Sequence, residues 1–368
     1  MTIKDVAKRA GVGIATVSRA LHGSPQVSPE TAARVRRVME ELGYRPNTNA
    51  QSLASGRSHM LGLVVSDITN PFFPELIKGF EDVALHSGYD VFVASTNYDP
   101  ARTALCVKRM IERKIDGVAI MTSEVDPSLP DIFAKRKVPL VFLDVGEVAR
   151  GVNNVKVDYA HGIAQAVEHL RALGHGRIAF ISGPLRLESV RERRDAFLKR
   201  LTEPRGGARP EPLVEEGNHR VEGGFKAMLR VLDRAPRTTA VIGSNDLTAI
   251  GAMRAIRKRG LHVPEDISVV GFDDIQMAQF TEPPLTTVKL VRTEVARLAC
   301  EALLHSIQNP GAGVELHVST SLVVRASTGP ARIDLPDSAE VPINLPGSSA
   351  TPVTAPARPA GNPPTPRS

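Results

Sequence analysis

Cysteine is scarce in this sequence and long apolar runs are absent. The first observation argues against a disulfide-rich or metal-binding protein, and the second argues against a membrane-spanning one. The 368 residues include two cysteines, Cys106 and Cys300, with no CxxC pair and no Cys/His spacing of a metal site. We therefore expect two structural thiols in a reducing compartment and no bound metal. The longest apolar runs, such as residues 60–65, are far shorter than a membrane span, and no signal-peptide pattern is present. A cytoplasmic protein is expected.

The short motifs of common enzymes are also missing. There is no Walker A loop, no GxGxxG after a strand, no GxSxG and no HExxH. The adjacent acids Asp273 and Asp274 are a poor acid–base pair, because neighbouring side chains need not face one site. We predict that the protein is not an enzyme and needs no cofactor. The alternative, that the protein is an enzyme, would be favoured if it chemically converted a small molecule such as a sugar.

The net charge of +6 is concentrated near the N-terminus. Residues 2–57 contain nine Lys or Arg and four acidic residues, so +5 of the +6 lies in the first sixth of the chain. A basic head on a nearly neutral body is typical of a protein whose head binds a polyanion. A solvated charged surface is the alternative, and charge alone does not separate the two.

Two short amphipathic helices are predicted at the start of the chain. Apolar residues recur at helical spacing over residues 3–10, stop at Gly11-Val12-Gly13, and resume over residues 15–21. Two helices joined by a tight glycine-containing turn predict a helix-turn-helix, whose second helix enters the DNA major groove. Thr2 and Asp5 have the spacing of a capping box.

The second helix has one face free for DNA, since Val17 and Leu21 must face the core of the head. The free face carries Ile14, Ala15 and Arg19. We predict that these residues read bases, because arginine can bond guanine and small apolar groups can meet a thymine methyl. Thr16 and Ser18 can donate to phosphates. For an isolated helix pair, a merely solvated Arg19 is the alternative.

A third helix and a polar linker complete the N-terminal part. Ser28-Pro29-Glu30 is a strong helix start and Gly43 a stop, which bounds a head at residues 1–45. Residues 46–57 are small, polar and only weakly helical. We predict a hinge that folds on DNA and inserts Leu53 into the minor groove, with a plain linker as the alternative. Replacing Leu53 by alanine should then lower DNA affinity without changing ligand affinity.

Short apolar runs alternate with helical patterns after the hinge. The runs lie at residues 60–65, 91–94, 117–121, 140–143, 178–181, 239–242 and 267–270. This alternation predicts parallel sheets flanked by helices. There are too many units for one sheet, so we predict two lobes, at about 58–158 and 159–283. The chain then returns through residues 285–290, a helix near 294–307 and one strand at 314–324.

Polar side chains follow most of the predicted strands, where parallel sheets bind ligands. Among them are Asp67, Asn97, Asp144, Ser189, Arg193, Asn245 and Asp273. Together with Phe72, Phe73 and His219 as flat faces, they favour a sugar-like polyol in a cleft between the lobes. Many such residues serve only as helix caps, so we expect about half of them to be caps.

Ordered motifs run through the head, the hinge and the body. They are Asp5-Val6-Ala7, Ala10-Gly11-Val12, Thr16-Val17-Ser18-Arg19, Leu42-Gly43-Tyr44-Arg45-Pro46-Asn47, Ala50-Gln51-Ser52-Leu53, Asp67-Ile68-Thr69-Asn70-Pro71-Phe72-Phe73, Asn245-Asp246 and Gly271-Phe272-Asp273-Asp274. Together they resemble the LacI/GalR family of bacterial transcription regulators. The resemblance implies an all-α helix-turn-helix head on an α/β two-lobed body like that of periplasmic binding proteins. It also implies a homodimer that reads a pseudo-palindromic operator.

The resemblance also assigns site residues. The DNA-binding set is Thr2, Ile14, Ala15, Thr16, Ser18, Arg19, Asn47, Ala50 and Leu53. The effector-binding set is Asp67, Phe73, Asn97, Asp144, Ser189, Arg193, His219, Asn245 and Asp273, with Leu187 at a further effector position. Four positions depart from the family pattern: Gly13 for Ser, Leu187 for a polar residue, Ala196 for Gly, and His219 for a stacking aromatic.

The sequence therefore predicts a ligand-responsive repressor in four parts. These are a head at 1–45, a hinge at 46–57, an effector-binding and dimerisation body at 58–330, and a disordered Pro/Ala-rich tail at 331–368. The tail lacks the leucine heptads of a tetramerisation helix, so we expect dimers. The expected partners are operator DNA, a sugar-like effector and a second copy, with no membrane. An architectural DNA binder without an effector is the remaining alternative.

Overall fold

The computed structural model describes residues 1–21, 24–45, 56–122, 125, 129–145, 147–203 and 211–332. The predicted hinge contacts Asn47, Ala50 and Leu53 lie outside these residues, as does almost all of the predicted tail. Within the described part of the chain, no helix is both long enough and apolar enough to cross a bilayer.

Three helices form the head: α1 Ile3–Ala10, α2 Ile14–Leu21 and α3 Pro29–Leu42. Their apolar stripes meet in a small core around Val6, Val17 and Val35, all of which are buried. Helices this short gain most of their stability from such packing rather than from intrinsic propensity. The predicted helix-turn-helix with a supporting third helix is confirmed.

The ends of these helices follow the sequence signals. The Asp5 carboxylate accepts hydrogen bonds from the Thr2 backbone N–H at 2.8 Å and from its hydroxyl at 3.0 Å. At α3, the Ser28 hydroxyl accepts from the Thr31 N–H at 3.3 Å. Gly11 and Gly43 end α1 and α3 at φ values of 65° and 59°, in the left-handed region that glycine adopts without strain.

The body alternates strands and helices along the chain. The order is β1 Met60–Val65, α4 Phe72–His86, β2 Asp90–Ser95, α5 Pro100–Glu112, β3 Gly117–Met121, α6 Leu129–Arg136, β4 Leu140–Leu143, β5 Val152–Val157, α7 Tyr159–Ala172, β6 Ile178–Ser182, α8 Glu188–Thr202, β7 Leu213–Glu216, α9 Val221–Arg234, β8 Ala240–Gly243, α10 Asp246–Lys258, β9 Ser268–Asp273, a 3₁₀ turn Gln276–Phe280, β10 Thr286–Leu290, α11 Arg292–Gln308, β11 Glu315–Val318 and β12 Thr320–Val323. All seven predicted apolar runs lie in or overlap strands.

The strands form two six-stranded sheets, one in each lobe. Lobe one has the order β11-β5-β4-β3-β1-β2 and lobe two the order β12-β10-β9-β8-β6-β7. Helix α11 lies on the lobe-one sheet beside α4, where Gly79 leaves room for Ala296 and Thr293. The apolar side chains between sheets and helices form the three core clusters of the body. The predicted two-lobed α/β architecture is confirmed.

The stretch at 314–324, predicted as one strand, forms two strands, β11 and β12, and β12 is the antiparallel member of an otherwise parallel sheet. Strand β11 pairs parallel with β5 in lobe one, and β12 pairs antiparallel with β10 in lobe two. One residue, Ser319, separates β11 from β12. Because β11 runs towards the cleft, the chain leaves the cleft as it enters lobe two. Strand β12 must therefore oppose its neighbour, and no glycine or proline marks the crossing.

Two strands, β5 and β7, correspond to none of the predicted apolar runs. Strand β5 carries the buried polar residues Asn153 and Asn154. The Asn153 amide donates to the Leu140 carbonyl at 3.1 Å and to the Ser306 hydroxyl at 3.0 Å. These bonds satisfy the amide inside the lobe, and they explain why a buried strand lacks a continuous apolar run.

Candidate functional site

A cavity of about 70 Å³, lined by both polar and apolar side chains, lies between the lobes at the carboxyl ends of the strands. Most of the predicted effector residues line it: Phe73, Asp144, Leu187, Ser189, Arg193, His219, Asn245 and Asp273. The other lining residues are Ser66, Asn70, Phe72, Tyr98, Met121, Thr122, Leu143 and Tyr159. Two rows of strand ends from separate sheets thus meet at one site, as the strand-end argument predicts.

Arg193 is the central cation of the cavity. It projects from α8, and its guanidinium carbon lies 4.5 Å from the ring centroid of Tyr159 and 4.6 Å from that of Phe272. One Nη donates to the Ser244 carbonyl at 2.5 Å. Among the described residues the buried Nε has no hydrogen-bond partner. A buried donor without a partner costs about 1–3 kcal/mol, so this N–H is suited to a ligand oxygen.

Asp144 faces Arg193 from lobe one. The Tyr159 hydroxyl donates to one of its carboxylate oxygens at 2.5 Å, and the Val157 N–H donates to the other at 2.8 Å. Burial raises the pKa of Asp144 to about 6, although these hydrogen bonds and the nearby charge of Arg193 favour the ionised form. This carboxyl group is therefore protonated more readily than an exposed aspartate, although it is mostly ionised at pH 7.

Asp273 supplies a second buried carboxyl group, from the end of β9 in lobe two. Its pKa is also raised to about 6, because burial outweighs the favourable charges of Arg193 and Arg292. Its backbone has a φ of 108°, which is uncommon for a residue other than glycine. The Arg292 guanidinium donates to its carbonyl, which holds the turn in place.

His219 closes the lobe-two side of the cavity as a neutral imidazole. Burial, followed by the charges of Arg193 and Arg186, lowers its pKa to about 3. Its Nε2 lies 3.0 Å from the Ser244 hydroxyl. A Cβ at Gly183 would lie 2.2 Å from that Nε2, so glycine at 183 makes room for the ring.

Asn245 both lines the cavity and caps a helix. Its Oδ1 accepts from the Thr248 N–H at 2.9 Å at the start of α10. Its Nδ2 donates to the His219 carbonyl at 3.2 Å. Asn245 can therefore cap the helix and line the cavity at once, because the cap holds its side chain at the cavity wall.

Two predicted effector residues, Asp67 and Asn97, do not line the cavity. Both instead meet Arg220 of lobe two. Five further residues line the cavity without having been predicted from the sequence: Tyr98, Met121, Thr122, Leu143 and Tyr159. Tyr159 opens α7 directly after Asp158, the cap that could have indicated its place near the lobe crossing. The other four carry no signal in the sequence.

The predicted base-reading residues lie on the outer surface of α2. Ile14 is 45% exposed, and Ala15 and Arg19 are exposed, while Val17 between them is buried. Thr16 and Ser18 are half-buried and Thr2 is exposed. The Gly13 carbonyl accepts from the N–H groups of Thr16 and Val17, which places Gly13 at the start of the helix. Ile14, Ala15 and Arg19 are therefore all accessible from one face of the head.

Comparison with known proteins places this geometry in a family. Residues 2–47 match the family model described as bacterial regulatory proteins, lacI family, and residues 167–328 match that of a periplasmic binding protein-like domain. The chain is 36% identical over 337 residues to the probable HTH-type transcriptional repressor ExuR of Bacillus subtilis, covering 89% of this chain and 98% of that protein. The chain belongs to the LacI family.

Two further members agree with this assignment. The ribose operon repressor of Escherichia coli strain K12 is 33% identical over 311 residues, which cover 84% of this chain and 94% of that protein. The structure of the Lac repressor dimer bound to operator and the anti-inducer ONPF is 32% identical, with a TM-score of 0.80, and covers 89% of this chain and 99% of that one. These LacI-family relatives are transcriptional repressors and not enzymes, in agreement with the prediction.

Proposed function

We propose that this LacI-family repressor binds a pseudo-palindromic operator as a homodimer in the cytoplasm, under the control of a neutral sugar-like effector in the interlobe cavity. The observation that carries the proposal is the joint presence of an exposed reading face on α2 and a cavity between two lobes. The organisation into head 1–45, hinge 46–57, body 58–330 and tail 331–368 is part of this proposal.

The chemistry of the cavity supports a polyhydroxylated ligand. Asp144 and Asp273 can accept hydrogen bonds from ligand hydroxyl groups, and the Arg193 Nε–H can donate to a ring or hydroxyl oxygen. The Phe72 and Phe73 rings meet edge to face at 5.1 Å, and Phe73 offers an apolar surface to a sugar ring. Among the residues that line the cavity, two carboxyl groups stand against one arginine, which disfavours an acidic ligand. A neutral pentose or hexose fits this set best.

Exposed apolar residues support dimerisation. Met277 and Phe280 on the 3₁₀ turn are 56% and 75% exposed, and Leu85 on α4 is exposed as well. Met277 and Phe280 are three residues apart on one 3₁₀ turn and therefore share a face, which we propose the partner subunit covers. A dimer pairs two heads, and two heads on one palindrome combine base contacts that are each weak, at about 1–3 kcal/mol per base pair.

The experiment that tests the proposal combines DNA and ligand binding. The full chain is tested by gel shift on the upstream region of its own gene, with neutral pentoses and hexoses, a hexuronate and a purine base as separate additions. We expect specific binding that one neutral sugar changes by about 5- to 150-fold, the usual range of allosteric coupling. Specific binding that no compound changes, together with an unchanged melting temperature, would favour the architectural alternative. Conversion of a sugar would favour the enzyme.

A further inference from the structure

Arg220 of lobe two contacts lobe one directly across the cleft. One Nη lies 3.0 Å from the Asp67 carboxylate and 3.3 Å from the Asn97 side-chain oxygen. Asp67 follows β1 and Asn97 follows β2, whereas Arg220 precedes α9. The contact therefore joins the ends of two lobe-one strands to a lobe-two helix start.

All three residues are chain neighbours of residues that line the cavity. Asp67 follows Ser66, Asn97 precedes Tyr98, and Arg220 follows His219. The contact thus lies beside the cavity without forming part of its wall. A movement of the lobes that opens the cavity must separate Arg220 from its two acceptors, because these lie on opposite sides of the cleft.

The lobe-one half of the contact is held in place by hydrogen bonds that do not involve Arg220. The Thr69 N–H and hydroxyl donate to the Asp67 Oδ1 at 2.9 and 2.6 Å, which leaves Oδ2 for Arg220. Burial of Asp67 opposes ionisation, but the Thr69 hydrogen bonds and the Arg220 charge outweigh it and lower the pKa of this carboxyl. Asp67 is therefore a buried anion that faces the cleft.

The lobe-two half is fixed by the turn that carries His219. The Arg220 N–H donates to the Asn218 side-chain oxygen at 3.1 Å. His219 itself has a φ of 61°, so this turn passes through the left-handed region of the backbone. Because His219 lines the cavity and Arg220 is the next residue, a ligand that displaced His219 would also displace Arg220.

We propose that Arg220, Asp67 and Asn97 form an ionic clasp that holds the two lobes closed in the absence of ligand and so sets the ease with which the cavity opens. Arg220 is a positioning residue in this scheme and does not contact the effector. The regulatory meaning of the clasp rests on the function proposed above, but the clasp itself does not.

The clasp is weak because its arginine side chain is exposed to solvent. The Arg220 side chain is 51% exposed, and ion pairs of this kind shift an equilibrium by about two- to fivefold. Salt must weaken it further, since the screening length falls from about 10 Å at 0.1 M to about 3 Å at 1 M ionic strength. A contact of this strength biases closure without locking it.

The test measures the distance between the lobes in the full chain without ligand or DNA. Spin labels are placed on Lys108→Cys in α5 and Arg257→Cys in α10, in a Cys106→Ser background, and labelled chains are diluted with unlabelled ones. We expect Arg220→Gln to raise the ratio of long to short distances by about two- to fivefold. Asp67→Asn should raise this ratio by the same factor, and the double variant Arg220→Gln/Asp67→Asn should raise it no further than either single change. Arg220→Lys, which keeps the positive charge, should give a ratio close to that of the parent.

The matched control is Arg259→Gln, which removes an exposed arginine that pairs with Asp233 inside lobe two at 2.6 Å. It should leave the distances unchanged. The clasp is refuted if Arg220→Gln and Arg259→Gln give the same distribution, or if high salt leaves the parent distribution unaltered. Because neither ligand nor DNA is present, this failure is distinct from failure of the repressor proposal, which the gel shift reports.

Discussion

The two lobes contribute different chemistry to one cavity. Lobe two supplies Ser189, Arg193, His219, Asn245 and Asp273, which are polar or charged. Lobe one supplies the apolar side chains of Phe72, Phe73, Met121 and Leu143 beside the buried carboxyl group of Asp144, together with the polar residues Ser66, Asn70, Tyr98 and Thr122. Hydrogen bonds select a ligand by geometry, whereas apolar faces exclude water and tolerate variation. Arg193 of lobe two is the cation among the lining residues, and we infer that lobe two recognises the effector and that lobe one responds by closing over it.

The largest effect should follow from the loss of Arg193 in lobe two. Replacing it with methionine removes the donor to a ligand oxygen while keeping an apolar stem between the Tyr159 and Phe272 rings. A hydrogen bond from a charged group contributes about 1.5–3 kcal/mol, so we expect affinity for the effector found in the ligand panel to fall by about tenfold to a hundredfold. Calorimetric titration measures this loss.

The control for that experiment is Arg194→Met. Arg194 is the next residue on α8, and its guanidinium pairs with Asp195 at 2.7 Å, away from the cavity. It should bind the effector as the parent does. An Arg193→Met protein that retains full affinity would contradict the central role of lobe two.

The fold was more predictable from the sequence than the site. Repeated strand–helix units and the caps at Thr2 and Ser28 depend on local spacing, so the head and both lobes could be anticipated. Strand β5 was missed because Asn153 satisfies its amide through Leu140 and Ser306, residues remote in the chain. The antiparallel β12 depends on the direction in which the chain crosses between lobes, which no local pattern encodes.

The same limit applied to Asp67 and Asn97. Their position after strands predicted a place at the cleft, and the structure puts them there. Their partner, however, is Arg220, which lies more than a hundred residues away in sequence. Which polar group at a cleft meets a ligand and which meets the other lobe depends on distances of a few ångströms, and these arise only once both sheets are in place.

An intermediate effect is expected for the acid response of His219. With its pKa lowered to about 3, the folded protein cannot take up the proton that the unfolded chain binds below about pH 6.5. The stability contributed by neutral His219 is present above pH 6.5 and is lost by about 1.4 kcal/mol per pH unit below it. His219→Gln removes this loss. The free energy of unfolding is measured with urea at about pH 7.5 and about pH 5.5. Between these two pH values it should fall by about 1 kcal/mol less in the variant than in the parent.

Several wholly or partly buried carboxyl groups act in the opposite direction and must be kept constant, since burial also raises the pKa of Glu192 and of Asp246. Asp144 and Asp273, with pKa values raised to about 6, bind protons on folding, so their contribution grows as the pH falls from 6 to 4. The parent and the His219→Gln variant both retain these carboxyl groups, so their contributions to the free energy of unfolding cancel in the comparison. The exposed His161→Gln serves as control and should follow the parent at both pH values. A parallel response of His219→Gln and parent would show that His219 is solvated when folded.

The smallest effect is expected on the lobe-one side, from Phe73→Leu. Phe73 is buried, lines the cavity and meets Phe72 edge to face. Leucine keeps an apolar side chain of similar reach but removes the flat surface, and aromatic contacts of this kind contribute about 0.5–1.5 kcal/mol. Effector affinity should therefore fall by only about two- to tenfold. Because lobe one responds rather than recognises, the variant should keep the parent's preference among sugars, as competition between two of them would measure. If Phe73→Leu changed that preference while Arg193→Met did not, recognition would reside in lobe one, and the division between the lobes would have to be reversed.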